Sequence, residues 1–67
     1  MDITIKKTLP IGDRTVIELS DVIDISIGQF VYVDDFKVKV ISIPMLPAGK
    51  IAIEIVTRIE EAKTLTV

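Results

Sequence analysis

With neither cysteine nor histidine among its 67 residues, the chain has carboxylates, lysines, arginines, hydroxyls and three aromatic rings with which to do chemistry. The missing cysteine removes disulfide staples, thiolate nucleophiles and sulfur-ligated zinc or iron. The missing histidine removes the commonest metal ligand, the usual general base near neutral pH and every Ser-His or Cys-His pair. A hydrolase is therefore not expected, nor is any other enzyme, because no group of carboxylates replaces what is lost. Asp34 and Asp35 are adjacent, and Asp13, Asp21 and Asp24 lie in or beside other connections, a set that could suit a hard cation such as magnesium. No calcium loop is present, since the Asp-x-Asp-x-Asp-Gly core and its distal Glu are missing. These residues read as solvated turn acids. Glu54, Glu60 and Glu61 could pair for acid-base work, but Glu54 alternates with an apolar face and the other two sit in a polar turn, so they read as surface charges. The three glycines are far apart and none opens a phosphate cradle. Neither a metal nor a cofactor is expected.

Aromatic and basic residues meet in one segment. Gln29 to Val33 and Phe36 to Ile43 read as the two strands of a hairpin joined across Asp34-Asp35. Asp-Asp is a weaker turn signal than Asn-Gly, which leaves the loop type open. With a two-residue loop, Val33 pairs with Phe36, Tyr32 with Lys37, Val31 with Val38 and Phe30 with Lys39. One face is then Val31, Val33, Phe36, Val38 and Val40, expected in the core. The other presents Phe30 and Tyr32 beside Lys37 and Lys39. Stacking platforms flanked by cations are how β-barrels hold single-stranded nucleic acid. Ordinary cross-strand pairs, with the rings covered by a loop or by the C-terminal segment, produce the same pattern. Eight Lys plus Arg against ten Asp plus Glu give a net charge of −2. Any contact with phosphate must therefore come from a local patch, not from a basic surplus.

The elements that would position this hairpin are also strands. Ile, Val and Thr make up 27 residues of the 67, against 3 Ala and 4 Leu, a balance that favours β-structure. Ile3 and Ile5 alternate with Thr4 and Lys6 in a first strand, which is expected to end before a Leu9-Pro10-Ile11-Gly12-Asp13 turn or loop. Arg14 to Leu19 is a second strand, with Ile17 and Leu19 opposite Glu18. Asp21 to Gly28 places Ile23, Ile25 and Ile27 at a period of two and reads as a short strand or an extended connection. The parity of Phe36, Val38 and Val40 slips at Ile41 and Ile43, which predicts a bulge or a strong bend. Pro44 to Gly49, with two prolines and a glycine, is a loop in which Ala48-Gly49-Lys50 turns into the next strand. Lys50 to Ile59, with Ile51, Ile53, Ile55, Thr57 and Ile59 on one face and Ala52 and Glu54 on the other, is expected to be the longest strand. Glu60 to Lys63 could form one helical turn, and Thr64 to Val67 could return as a closing strand. The expected fold is all-β: a single domain over residues 1–67, forming a small closed or partly open barrel of five to six short antiparallel strands with little or no helix.

No apolar run approaches the roughly 18 to 20 residues that span a bilayer, so no membrane role is expected. The opening Met1-Asp2 lacks a basic and then apolar leader, which points to the cytoplasm. Asn and Cys are absent and Gln occurs once, a depletion of heat-labile residues that suggests a thermophile.

The order Ile27-Gly28-Gln29-Phe30-Val31-Tyr32-Val33, then Phe36-Lys37-Val38-Lys39-Val40-Ile41-Ser42-Ile43, then Ala48-Gly49-Lys50-Ile51-Ala52-Ile53-Glu54-Ile55, resembles the second-domain β-barrel of translational GTPases. It is most similar to the short stand-alone elongation-factor-like barrels. Gly28, Val40, Ser42, Ile43, Ala48 and Gly49 stand in matching roles over roughly residues 14 to 57. Gln29 replaces the Asp that the family prefers, and the stretch from Ile43 to Ala48 is shorter. The GTP-binding domain is missing, so the resemblance implies no GTP hydrolysis. It implies a barrel that serves as a contact surface for RNA or a ribonucleoprotein component. The other partner class is a second protein or a homo-oligomer, reached through an exposed strand edge or the aromatic face.

Overall fold

The computed structural model describes residues 2–21, 24–44 and 51–67. Six strands are present, β1 (Asp2–Ile11), β2 (Arg14–Leu19), β3 (Phe30–Val33), β4 (Phe36–Ser42), β5 (Ile51–Ile55) and β6 (Thr64–Thr66), with no helix among the described residues. All pairings are antiparallel, and the strands close into a barrel in the order β1-β2-β5-β4-β3-β6, with β6 returning to β1. The all-β barrel expected from the alternation is the observed fold.

Period-two alternation explains which side of each strand faces inward. Ile3 and Ile5 of β1, Ile17 and Leu19 of β2, Val31 and Val33 of β3, Val38 and Val40 of β4, Ile53 and Ile55 of β5 and Leu65 of β6 form one aliphatic cluster, joined by Ile25 from the β2–β3 connection. Branched side chains fill a barrel this narrow.

Closure needs corners, and the structure makes them with bulges. β1 pairs with β6 through Asp2–Thr4 and with β2 from Ile5 onward, and its register slips between Ile5 and Lys7. β4 pairs with β3 through residues 36–39 and with β5 at Val40 and Ser42, and its register slips between those two residues. The two strands that change sheets are thus the two that bulge, each at the point of change. The slip read at Ile41 is one of these corners. The one at Lys6 was not anticipated.

Several boundaries differ from the sequence reading. β1 runs through Leu9-Pro10-Ile11 to a turn of only Gly12-Asp13, which makes it the longest strand at ten residues. Proline fits because the pair flanking a two-residue turn is hydrogen-bonded and pairs alternate from there. Pro10, one step further on, therefore has its missing N–H pointing away from β2. β5 stops at Ile55 instead of continuing to Ile59. Its continuation is captured by buried Thr15, whose hydroxyl donates to the Thr57 carbonyl at 2.7 Å and accepts the Ile59 N–H at 2.7 Å. Residues 60–63 form no helical turn, because their backbone groups are engaged elsewhere. Thr8 Oγ1 donates to the Glu60 carbonyl, the Ile5 N–H to the Lys63 carbonyl, and the Lys63 N–H to Asp34 Oδ1. The described part of residues 21–28 contains no strand, and Ile25 is buried while Ile27 is exposed. Ile23, the loop over 45–49 and the turn expected at Ala48-Gly49-Lys50 lie outside the described residues.

Candidate functional site

The β3–β4 hairpin has the expected register: Phe30 opposite Lys39, Val31 opposite Val38, Tyr32 opposite Lys37 and Val33 opposite Phe36. Both ends of the hairpin are locked. At the entry, Ser26 to Gln29 form a β-turn closed by the Gln29 N–H on the Ser26 carbonyl, and Gly28 takes a φ of +93° at its third position. That sign requires a type II turn, for which glycine is the favoured residue. Gly28 and Gln29 then share Val40 as a partner, through Gly28 N–H to Val40 O and Val40 N–H to Gln29 O. This is a glycine bulge feeding straight into Phe30. The Gln29 side chain accepts the Ser26 N–H, so the residue standing where the resemblance prefers Asp still braces the turn.

At the far end, Asp34 has a φ of +52°, and among the described non-glycine residues it alone takes a positive value. Its carboxylate accepts the N–H of Thr64 at 3.1 Å and that of Lys63 at 3.3 Å, while its own N–H donates to the Thr64 carbonyl. A residue read as a solvated turn acid instead clamps the hairpin to β6.

Between these locks, Phe30, Tyr32, Lys37 and Lys39 all lie on the outer face and all are exposed. The structure brings the four together as expected, and neither β6 nor any loop among the described residues covers the rings. Lys37 Nζ sits 4.9 Å from the centroid of the Phe30 ring, a diagonal cation-π contact across the two strands. Beyond Tyr32 the row continues to Thr66 and then Asp2, whose carboxylate accepts the Thr66 hydroxyl. Positive charge therefore lies on the β4 side of the rings, and Asp2 stands at the far end of the row.

Phe36 was expected in the core and is 68% exposed. It has inward parity but sits beside the turn, where β4 pairs with β3 alone, whereas Val33 opposite it is also covered by Leu65 of β6. Adjacency to the turn does not by itself predict this, since Val33 flanks the same turn and is buried. All three aromatic rings of the chain are thus on the outside of one hairpin, around a core that contains none.

The carboxylates do not converge. Among the described residues there is no group of three or more acids placed to hold a metal. Glu54 lies 3.9 Å from Arg14, and Glu60 binds Arg58, which also donates to the Gly12 carbonyl and ties the first turn to the segment after β5. No described helix is long and apolar enough to cross a membrane. Compared with known protein families, curated proteins and solved structures, the chain matches none of them significantly.

Proposed function

We propose that this chain is a non-enzymatic β-barrel binding module that takes single-stranded RNA, free or as part of a ribonucleoprotein, on the outer face of the β3–β4 hairpin. The observation that carries the reading is the placement of the rings. A small barrel in need of core volume has kept every aromatic side chain outside, two of them in line at Phe30 and Tyr32 with Lys37 and Lys39 alongside. Two adjacent bases stacked on Phe30 and Tyr32 would lay their phosphates toward β4, away from Asp2. The resemblance to translation-factor barrels favours the same partner class and a cytoplasmic setting, and the composition favours a heat-adapted source.

The test is oligouridylate titration at several salt concentrations. With two lysines engaged, the logarithm of affinity should fall with the logarithm of salt with a slope of about −1.4, and Lys39→Ala should bring it to about −0.7. Tyr32→Ala should weaken binding by about 1–3 kcal/mol, roughly 5- to 150-fold. The same change should cost about 1 kcal/mol or less in stability, since the ring is half exposed. Equal binding by wild type and by the Phe30→Ala/Tyr32→Ala double variant would remove this face from consideration.

A further inference from the structure

Among the described residues, β4 is paired on one side only along part of its length. β4 meets β3 along residues 36–39 but reaches β5 only at Val40 and Ser42, with a single long bond of 3.4 Å from the Val56 N–H to the Lys39 carbonyl beyond them. The phase of the ladder shows which backbone groups face the gap. A two-residue turn makes Val33–Phe36 a hydrogen-bonded pair and pairs alternate, so Val31–Val38 is bonded while Tyr32–Lys37 and Phe30–Lys39 are not. The bonds of Val40 to Gly28 and Gln29 keep the same phase. The N–H and C=O of Lys37 and the N–H of Lys39 therefore point to the side where no strand pairs with them. Phe36 at the turn end of this seam is 68% exposed, and Val56 at its other end is 52% exposed.

We propose that the seam is a docking edge for an extended segment of another protein in which apolar and acidic residues alternate. Its backbone would bond to Lys37 and Lys39, as in strand addition. Its acidic side chains would stand on the outer face beside the two lysine side chains, and its apolar ones would turn inward between Phe36 and Val56. Charge selects this occupant over a second copy of the chain. Antiparallel self-pairing centred on Val38 sets Lys37 of one copy against Lys39 of the other, and centring on Lys37 sets two Lys37 residues face to face. Lysines at an edge are a known guard against self-association. Such a segment would compete with RNA for Lys37 and Lys39, but its docking does not depend on RNA binding.

The experiment is amide hydrogen exchange and NMR mapping of the full chain, with an end-blocked octapeptide of alternating valine and glutamate and a control in which lysine replaces glutamate. The acidic peptide should slow exchange at the Lys37 and Lys39 amides by about tenfold or more at saturation and shift residues 36–39 and 56. The Lys37→Gln/Lys39→Gln double variant, whose changes are on exposed side chains, should bind it at least about tenfold more weakly. The proposal is overturned by unchanged exchange at Lys37, by equal binding of the lysine peptide, or by protection of these amides through self-association. It is also overturned if oligouridylate, not the acidic peptide, protects the Lys37 amide. RNA on the aromatic face would instead shift the ring resonances of Phe30 and Tyr32, so the two readings fail separately.

Discussion

Gly12 and Asp34 occupy the same position in two hairpins. Each is the first residue of a two-residue turn, with φ of +62° and +52°, and neither Asp13 nor Asp35 follows with a positive φ. This is the sign pattern of a type II′ turn, which favours glycine first. Asp34 accepts about 1–2 kcal/mol of left-handed backbone cost and offsets it with the carboxylate bonds to Lys63 and Thr64. Asp34→Asn keeps an acceptor oxygen and tolerates the left-handed region, so it should stay within about 0.5 kcal/mol of wild type. Asp34→Ala should lose about 1–2 kcal/mol in urea unfolding, with Asp34→Gly about 1 kcal/mol above it. An alanine variant as stable as the glycine variant would contradict the strain argument. Thr15 is the other residue whose role was hidden, because threonine in an alternating strand reads as filler. Replacing it by valine keeps the shape and strands the Thr57 carbonyl and Ile59 N–H, at an expected cost of about 1–3 kcal/mol.

At the scale of elements, the strands were legible wherever one face is buried, as in the alternation of Val31, Val33, Val38 and Val40. They were not legible where a tertiary partner sets the end. Pro10 read as a strand breaker because its tolerance depends on which side of β1 carries a neighbour. Thr57 and Ile59 read as strand because their capture by Thr15 leaves no trace in local pattern. The bulge at Lys6 leaves no mark in the sequence because apolar residues keep odd positions through it, at Ile3, Ile5, Leu9 and Ile11, although the last two are exposed beyond the slip, whereas the slip at Ile41 sets two isoleucines out of phase. The bulge itself yields a prediction. Lys6→Ala leaves the extra residue in place and should shift stability by no more than about 0.5 kcal/mol. Deleting Lys6 removes the corner and should cost several kcal/mol, a large part of the roughly 3–10 kcal/mol expected for a chain of this length. Equal thermal midpoints for the two variants would mean that β1 turns between sheets without the bulge.

For the molecule as a whole, closure rests on β6, three residues that join β1 to β3 and bring Thr66 to Asp2 across 64 positions of sequence. Leu65 is fully buried at that junction. Leu65→Ala should cost about 2–5 kcal/mol and lower the melting temperature by roughly 10 °C or more. A drop of only a degree or two would show that β6 is dispensable for closure. Pairings this distant in sequence also predict folding in milliseconds to seconds instead of microseconds. The sequence by itself determined the β class, the inward and outward face of most strands, and the grouping of Phe30, Tyr32, Lys37 and Lys39, because side-chain period and a two-residue turn are local properties. Only the tertiary structure decided the strand order, the reach of β1, the early end of β5, the exposure of Phe36 and the half-paired edge of β4. Each of these depends on which distant strand lies alongside, and burial and hydrogen bonding are completed by neighbours that adjacency in the chain does not name.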